Sequence, residues 1–355
     1  MRILQILHNY KLGGAEQHLV QLCVGLRNSG LEIETAVPKG SWIWQRLTEN
    51  GFTVHPLDFR GHYDIRSLLK LTMLLRQQGY DLVHTHLVRA AWYGRLATKL
   101  TNTPMVCSVH DMTTWKHYPR DRQLIAVSAA VKQHLGTHGF DPENIQVVFP
   151  GARDCSLGTE QASTRSTIRS ELGLQPDDMA IFMIGRIAEV KGHDIALEAI
   201  SRLHEQGLHH LKLVFAGQET EWGRALHMSR PARYAKWLGR REDVPELLAA
   251  ADICIQPSRS EGLPLALMEG SSAGKAIIAT RVGGIPEVIA DHVNGLLIPA
   301  NDAEALARAI QDLAGNPALA LRLGSAARRR FETEFSIATM IEKTLGVYQA
   351  CLQRA

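Results

Sequence analysis

Long hydrophobic runs are missing from this 355-residue chain: nothing approaches the roughly 18 uninterrupted apolar residues of a membrane-spanning helix. The opening MRILQILHNY has one Arg and a short apolar run, then turns polar without a small-residue cleavage site. It reads as a first strand, not a signal peptide. The five cysteines (Cys23, Cys107, Cys155, Cys254, Cys351) are scattered, with no CxxC spacing. This argues against a zinc site or disulfide framework and for a reducing compartment. There is no GxxxxGK[ST], so this is not a P-loop protein, and no GxGxxG dinucleotide fingerprint. No DxD-type carboxylate pair follows a strand, which argues against a diphosphate held through a metal. Charge of one sign is also scarce. The net charge is +3, with 18 Lys+Arg against 13 Asp+Glu in residues 1–165 and 21 against 23 in residues 166–355. A mildly basic first half fits an anionic acceptor or membrane surface and is too dilute for nucleic acid.

What is present is alternation. Candidate strands fall at Ile3–Leu7, Ile33–Val37, Thr53–Leu57, Leu82–Thr85, Met105–Val109, Leu124–Val127 and Ile145–Phe149, and again at Ala180–Ile184, Leu211–Ala216, Ala235–Leu238, Ile253–Gln256, Ala276–Thr280 and Gly295–Ile298. Amphipathic runs such as Ala15–Ser29, Arg66–Gln78 and Ala90–Leu100 lie between many of them, and Ala303–Leu352 is mostly helical. Strands alternating with helices predict parallel sheets. The length predicts about two domains, and the Gly/Ser/Thr/Pro-rich stretch Pro150–Ser170 is the expected linker. Two doubly wound sheets with a cleft between them follow, with ligands beyond the carboxyl ends of the strands.

The run EGLPLALMEG carries the sharpest chemistry: Glu261 and Glu269 stand with seven residues between them. Pro264 is placed to open a helix at N1. Glu261 then sits at the helix mouth and Glu269 five residues inside, roughly 7–8 Å along the axis. Free N–H groups and a partial positive charge face whatever binds there. The site suits a ligand with anionic oxygens in the middle and hydroxyls at both ends, as in a sugar nucleotide. Solvated helical Glu is the plainer alternative, but Leu265, Met268 and Ser272 place Glu269 near an apolar stripe. Arg186 and Lys191 lie in the loop after the strand Ala180–Ile184, where two cations neutralise a diphosphate without a metal; two solvated surface cations are the alternative. Gly13-Gly14 open the first helix, either for close approach to a ligand or for a turn needing positive φ. His110 ends a strand beside Asp111, as a ligand contact or as a satisfied structural histidine. Gly283-Gly284 form a tight turn, with Glu287 a cap or a ligand contact.

In order along the chain, Gly-Gly-Ala-Glu at 13–16, His110, Gly185-Arg186 with Lys191-Gly192, Leu238-Gly239-Arg240, Ser258 to Glu269 and Gly283 to Glu287 resemble retaining glycosyltransferases of the GT-B fold, specifically glycosyltransferase family 4. The resemblance implies an α/β GT-B architecture of two Rossmann-like doubly wound parallel-sheet domains facing a central cleft. An acceptor-binding domain would span 1–160, a nucleotide-sugar-binding domain 161–330, and a helical segment 331–355 would return toward the first domain. It implies that Glu269 holds the nucleotide ribose and Glu261 contacts the transferred sugar. Backbone amides of Gly262 and Leu263 would hold sugar or phosphate oxygens, Arg186 and Lys191 would clamp the diphosphate, and groups around Arg240 and Val244 would frame the base. His110 would contact the donor sugar and Gly14 would let the first-domain loop close over the donor. Pro150-Gly151-Ala152-Arg153-Asp154 departs from the Asn-Gly-x-Asp element usual at the end of the first domain.

The activity implied is metal-independent transfer of a sugar, with retention, from a nucleoside-diphosphate sugar (a UDP-sugar first) to a hydroxyl of a lipid-linked saccharide, lipopolysaccharide or other cell-surface glycan. No cofactor, metal or nucleic-acid partner is expected. The location implied is cytoplasmic, on the inner face of the membrane if attached. Arg66, Lys70 and Arg76 on the run Asp64–Gln78 form a basic amphipathic helix that either lies on a membrane or packs on the first sheet with its cations solvated. Trp42 and Trp44 are further candidates for lipid or sugar contact. An epimerase of the same fold, a non-catalytic sugar-nucleotide binder and an inverting transferase are the alternatives.

Overall fold

The computed structural model describes residues 1–61, 64–230 and 232–354. The chain forms two compact units, Met1–Gly151 with Ile337–Ala355, and Ala152–Ser336. The divisions expected at 160/161 and 330/331 therefore stand at 151/152 and 336/337.

The first unit has strands β1 (Arg2–Leu7), β2 (Glu32–Val37), β3 (Thr53–Pro56), β4 (Leu82–His86), β5 (Met105–Val109), β6 (Gln123–Ala126) and β7 (Ile145–Val147). They form a seven-stranded sheet in the order β3-β2-β1-β4-β5-β6-β7. The second has β8 (Met179–Ile184), β9 (Leu211–Ala216), β10 (Ala235–Trp237), β11 (Ile253–Gln256), β12 (Ala276–Thr280) and β13 (Leu296–Ile298), ordered β10-β9-β8-β11-β12-β13. All pairings within these sheets are parallel. Each strand starts and ends within two residues of the run read from sequence. Central parallel strands are covered by helices on both faces, so they appear as unbroken apolar runs such as AIFMI or AIIA.

The expected linker differs. Residues Gln161–Glu171 form a helix belonging to the second unit. Ile168 and Leu172 pack with Phe182 and Leu247, and Arg165 and Arg169 pair with Asp252 at 2.5 and 3.1 Å. The segment QASTRSTIRSE carries one large apolar residue, too little to show helical periodicity in the sequence. Trp42 and Trp44 are half-buried against the core of the first unit beside Ile43 and Leu47, in the helix Trp42–Glu49.

The helix Ile337–Gln353 belongs to the first unit, and its Met340, Ile341, Val347 and Tyr348 join the core of Ile3, Leu19 and Leu22. Tyr348 is fully buried and its hydroxyl is shared. Gln5 Nε2 donates to it at 3.0 Å, and it stands 2.7 Å from His84 Nδ1. His84 Nε2 lies 2.8 Å from Ser108 Oγ. This network lets β4 carry two histidines at positions with no solvent access. Tyr348→Phe leaves Gln5 and His84 each short of a buried partner, and an unmet buried group costs about 1–3 kcal/mol. The variant is expected to unfold at lower temperature, with amide protection lost first in residues 337–353 by hydrogen exchange. Unchanged protection would show that the hydroxyl contributes nothing.

Candidate functional site

In the second unit, chain direction diverges at β8: β9 and β10 lie to one side, and β11, β12 and β13 to the other. Loops after β8 and β11 therefore leave the sheet in opposite directions and open a crevice at their carboxyl ends, the usual ligand position in such sheets. Lys191, from the β8 loop, meets Glu261, from the β11 loop, with Nζ 2.6 Å from Oε1. The Glu261 side chain is 8% exposed. The same Oε1 accepts from Ser258 Oγ at 2.7 Å and Gln256 Nε2 at 3.2 Å.

Close backbone packing holds the two loops together. Gly192, at φ +78°, faces the Pro257 carbonyl, and a Cβ there would come within 2.1 Å of that oxygen. The Arg259 amide donates to the Val190 carbonyl at 2.8 Å, and the Arg259 guanidinium forks onto Asp194 at 2.9 and 2.7 Å. Behind them, Gly283 at φ +51° lies so close to the Glu261 carbonyl that a Cβ would sit 1.8 Å from it, and the Gly284 amide donates to the Gly262 carbonyl at 3.0 Å. The glycine pair read as a tight turn is thus also the floor beneath Glu261. Ser258, Gln256, Arg259 and Asp194 were not singled out from sequence, since nothing in an isolated Ser or Gln marks it as the partner of a residue three or five positions on.

The helix after Glu261 spans Leu265–Ser272, with Pro264 at its N-cap and not at N1. Glu269 is half-buried and fifth in that helix. Burial raises its carboxyl to about 7, against the pull of the nearby Arg153 charge. Arg153 and Asp154 come from the segment whose departure from the family pattern was noted. Asp154 is tied to Arg328 at 2.5 and 2.8 Å within the same unit. Among the described residues, the amides of Gly262 and Leu263 donate to no protein acceptor. Arg186 is exposed and makes no hydrogen bond or ion pair among the described residues. Arg240 is exposed and pairs with Glu242 at 3.2 Å, and Val244 opens the helix Val244–Ala250. The string Gly270-Ser271-Ser272-Ala273-Gly274 reads as G-x-S-x-G but ends a helix. Ser272 Oγ there is held by the Glu269 carbonyl at 2.7 Å and the Cys155 amide at 2.9 Å, so it is no nucleophile elbow.

In the first unit, Gly13 caps the helix Gly14–Asn28, and neither Gly13 nor Gly14 adopts positive φ. The turn does not need that freedom; a Cβ on Gly14 would meet open space. His110 follows β5, with Nε2 3.2 Å from His86 Nδ1. Asp111 turns back on its own loop, accepting from the Thr113 and Thr114 amides at 2.7 and 2.9 Å. A cavity of about 580 Å³ opens beside it, lined among others by Lys11, Arg89, Trp92 and Tyr10.

Two parallel α/β units with their polar groups at carboxyl edges have the architecture of the GT-B fold, as the solved structures bear out. HepE from Anabaena, in complex with UDP, superposes with a TM-score of 0.88 at 20% identity, covering 99% of this chain and 100% of that one. A glycosyltransferase from Rickettsia africae gives 0.87 at 24% identity, covering 100% and 99%. The model of Glycosyltransferase Family 4 matches residues 12–153 and that of Glycosyl transferases group 1 matches residues 164–330. The chain belongs to glycosyltransferase family 4. A D-inositol 3-phosphate glycosyltransferase from Streptomyces avermitilis is 29% identical over 311 residues, which span 77% of this chain and 66% of that protein. The match thus covers about two thirds of the length of that relative. No helix among the described residues is long and apolar enough to cross a membrane.

The raised Glu269 carboxyl sets a pH signature. Its folded value of about 7 lies above the ordinary 4.5, so the fold favours the protonated form. Stability from this group is full below pH 4.5 and is lost as pH rises toward 7. Glu269→Gln removes that loss, and the ligand-free variant is expected to gain on wild type by up to about 3 kcal/mol between pH 5 and pH 8. Urea unfolding at both pH values measures it, and a pH-independent difference would contradict it.

Proposed function

We propose that this glycosyltransferase moves a sugar from a nucleoside-diphosphate sugar, UDP-linked, to a hydroxyl of a membrane-borne, lipid-linked saccharide or lipopolysaccharide, with retention and without a metal. The observation that carries the donor half is the Lys191–Glu261 contact at the crevice between β8 and β11, flanked by the unengaged Gly262 and Leu263 amides. In this reading Glu269 binds the ribose, Arg240 and Val244 frame the base, and Glu261 contacts the transferred sugar while holding Lys191 in place. His110 touches the donor sugar and the loop at Gly14 closes over it. UDP is favoured because the similar HepE binds it.

Charge grows on the diphosphate as the glycosidic bond breaks, and fixed cations and helix-end amides stabilise it without reorganising. Glu261 neutralises most of the Lys191 charge, so Arg186 contributes the larger share of net positive field. The bond from the anomeric carbon to the diphosphate breaks, the acceptor oxygen bonds that carbon on the same face, and the departing diphosphate takes the acceptor proton. Arg186→Ala and Lys191→Ala are each expected to lower turnover by about 10²–10³-fold with unchanged folding. Near-wild-type turnover in both would remove the clamp. A thermal-shift panel of UDP-, GDP- and ADP-sugars tests the donor: a ligand at 100 times its Kd stabilises by about 2.7 kcal/mol. Donor consumption without acceptor would favour an epimerase, and binding without turnover a non-catalytic binder; product anomer analysis separates retention from inversion.

The acceptor half draws on the first unit. Lys11 and Arg89 give the 580 Å³ cavity positive charge, and Trp92 and Tyr10 give it aromatic walls, which suits a saccharide or polyol bearing an anionic group. The D-inositol 3-phosphate relatives are named for such an acceptor. On the helix Ile65–Gln78, Leu71 and Leu75 are buried, while Ile65, Leu69 and Met73 are 67%, 56% and 56% exposed and Arg66 and Lys70 stand beside them. This exposed apolar stripe with basic neighbours supports attachment to an anionic membrane face. The protein is expected to float with anionic vesicles, and Leu69→Glu with Met73→Glu to float far less at equal folding. No flotation of wild type would remove the membrane from the proposal.

A further inference from the structure

Three histidines of the first unit crowd together in a way the donor chemistry does not require. His18 comes from the helix Gly14–Asn28, His86 ends β4 and His110 follows β5. One ligand atom of each lies within 4.8 Å of those of the other two. Ring centroids are 5.2 Å apart for His18–His110, 5.5 Å for His86–His110 and 5.8 Å for His18–His86. A tetrahedral zinc ion with Zn–N of about 2.0–2.1 Å places its ligand nitrogens about 3.3 Å apart and the ring centres about 5 Å apart. His86 Nδ1 and His110 Nε2 are already 3.2 Å apart.

The surrounding hydrogen bonds prepare a lone pair. Gln5 donates through Nε2 to Tyr348, which turns its Oε1 toward His86 Nε2 at 2.9 Å. That oxygen only accepts, so His86 carries its proton on Nε2 and leaves Nδ1 bare toward His110. An imidazole ligand oriented by an acceptor on its second nitrogen is the usual support of a metal-bound histidine. His18 is 6% exposed, and its Nδ1 is buried with no hydrogen-bond partner among the described residues. A merely structural histidine cluster leaves that atom unexplained, because an unmet buried polar atom is costly. Burial also keeps the rings uncharged at neutral pH, His18 and His110 lowered to about 3 and His86 well below its ordinary value, so all three are able to ligate.

We propose that His18, His86 and His110 form a three-histidine site for a divalent ion that favours imidazole, Zn²⁺ first, with a water molecule as the fourth ligand. On binding, His110 moves its proton from Nε2 to Nδ1 and all three rings stay neutral, so the ligands release no net proton. The ion is no cofactor of the transfer. It occupies the His110 nitrogen and inhibits, and this consequence rests on the donor-sugar contact assigned to His110 above.

The test uses the full chain freed of metal by chelator. Titration with Co²⁺ is expected to give the intense visible bands of a tetrahedral site, and Zn²⁺ to displace it at one ion per chain. Absence of both overturns the site without need of any variant. His18→Gln is expected to weaken Zn²⁺ binding by about 100-fold while its metal-free turnover stays at the wild-type level. Binding undiminished in His18→Gln also overturns the site, since the ion is then elsewhere. Zn²⁺ that binds in wild type and is lost in His18→Gln supports the site. Inhibition of wild type but not of His18→Gln then supports the consequence, and full turnover of the metal-bound enzyme counts against the role given to His110 and not against the site.

Discussion

Parallel strand pairing is the constraint from which the rest of this molecule follows. Each strand must be carried back by a crossover before the next can pair, so helices cover both faces and polar chemistry is confined to the sheet ends. In the second unit the order β10-β9-β8-β11-β12-β13 reverses at β8. That reversal leaves a crevice where two loops diverge, and Lys191 and Glu261 meet across it. Glycines without a Cβ at 192 and 283 allow the loops to approach this closely.

The Lys191–Glu261 pair also decides the electrostatics. A cation held by a carboxylate is well placed and poorly charged. Its position is set before a ligand arrives, and its field is largely cancelled until the pair is disturbed. Ser258 and Gln256 bond the same carboxylate oxygen, so Glu261 is fixed from three directions. Glu269 has no such donor among the described residues, and burial raises its carboxyl to about 7. Two glutamates on one short stretch thus have different surroundings: one is bonded by protein donors and the other is buried without them.

The first unit solves a different problem. His84, Thr85 and His86 lie inside a fully buried strand, where unpaired polar groups would be prohibitive. Contacts through Gln5, Tyr348 and Ser108 serve the two histidines and the Val106 carbonyl accepts from Thr85, and Tyr348 arrives from residues 337–353 after the chain has completed the second unit. The C-terminal helix therefore closes the core of the first unit and orients the histidines at the end of β4.

Sequence alone determined the strands, because runs such as AIFMI and AIIA have one physical reading between turn signals, and it determined the family, because six short elements keep their order. It also marked Glu261, Glu269, Arg186 and Lys191 as residues worth a role. It did not reveal the helix Gln161–Glu171, whose burial rests on Ile168 and Leu172 with arginines supplying the remaining ties. Nor did it show that Lys191 is bound to Glu261, that Gly283 supports Glu261, or that His18 faces His86 and His110. Those pairings join residues from 22 to 92 positions apart, from Glu261–Gly283 to His18–His110, and periodicity is a local signal. Only the tertiary fold, by bringing strand ends to one edge, decided which side chains share a site.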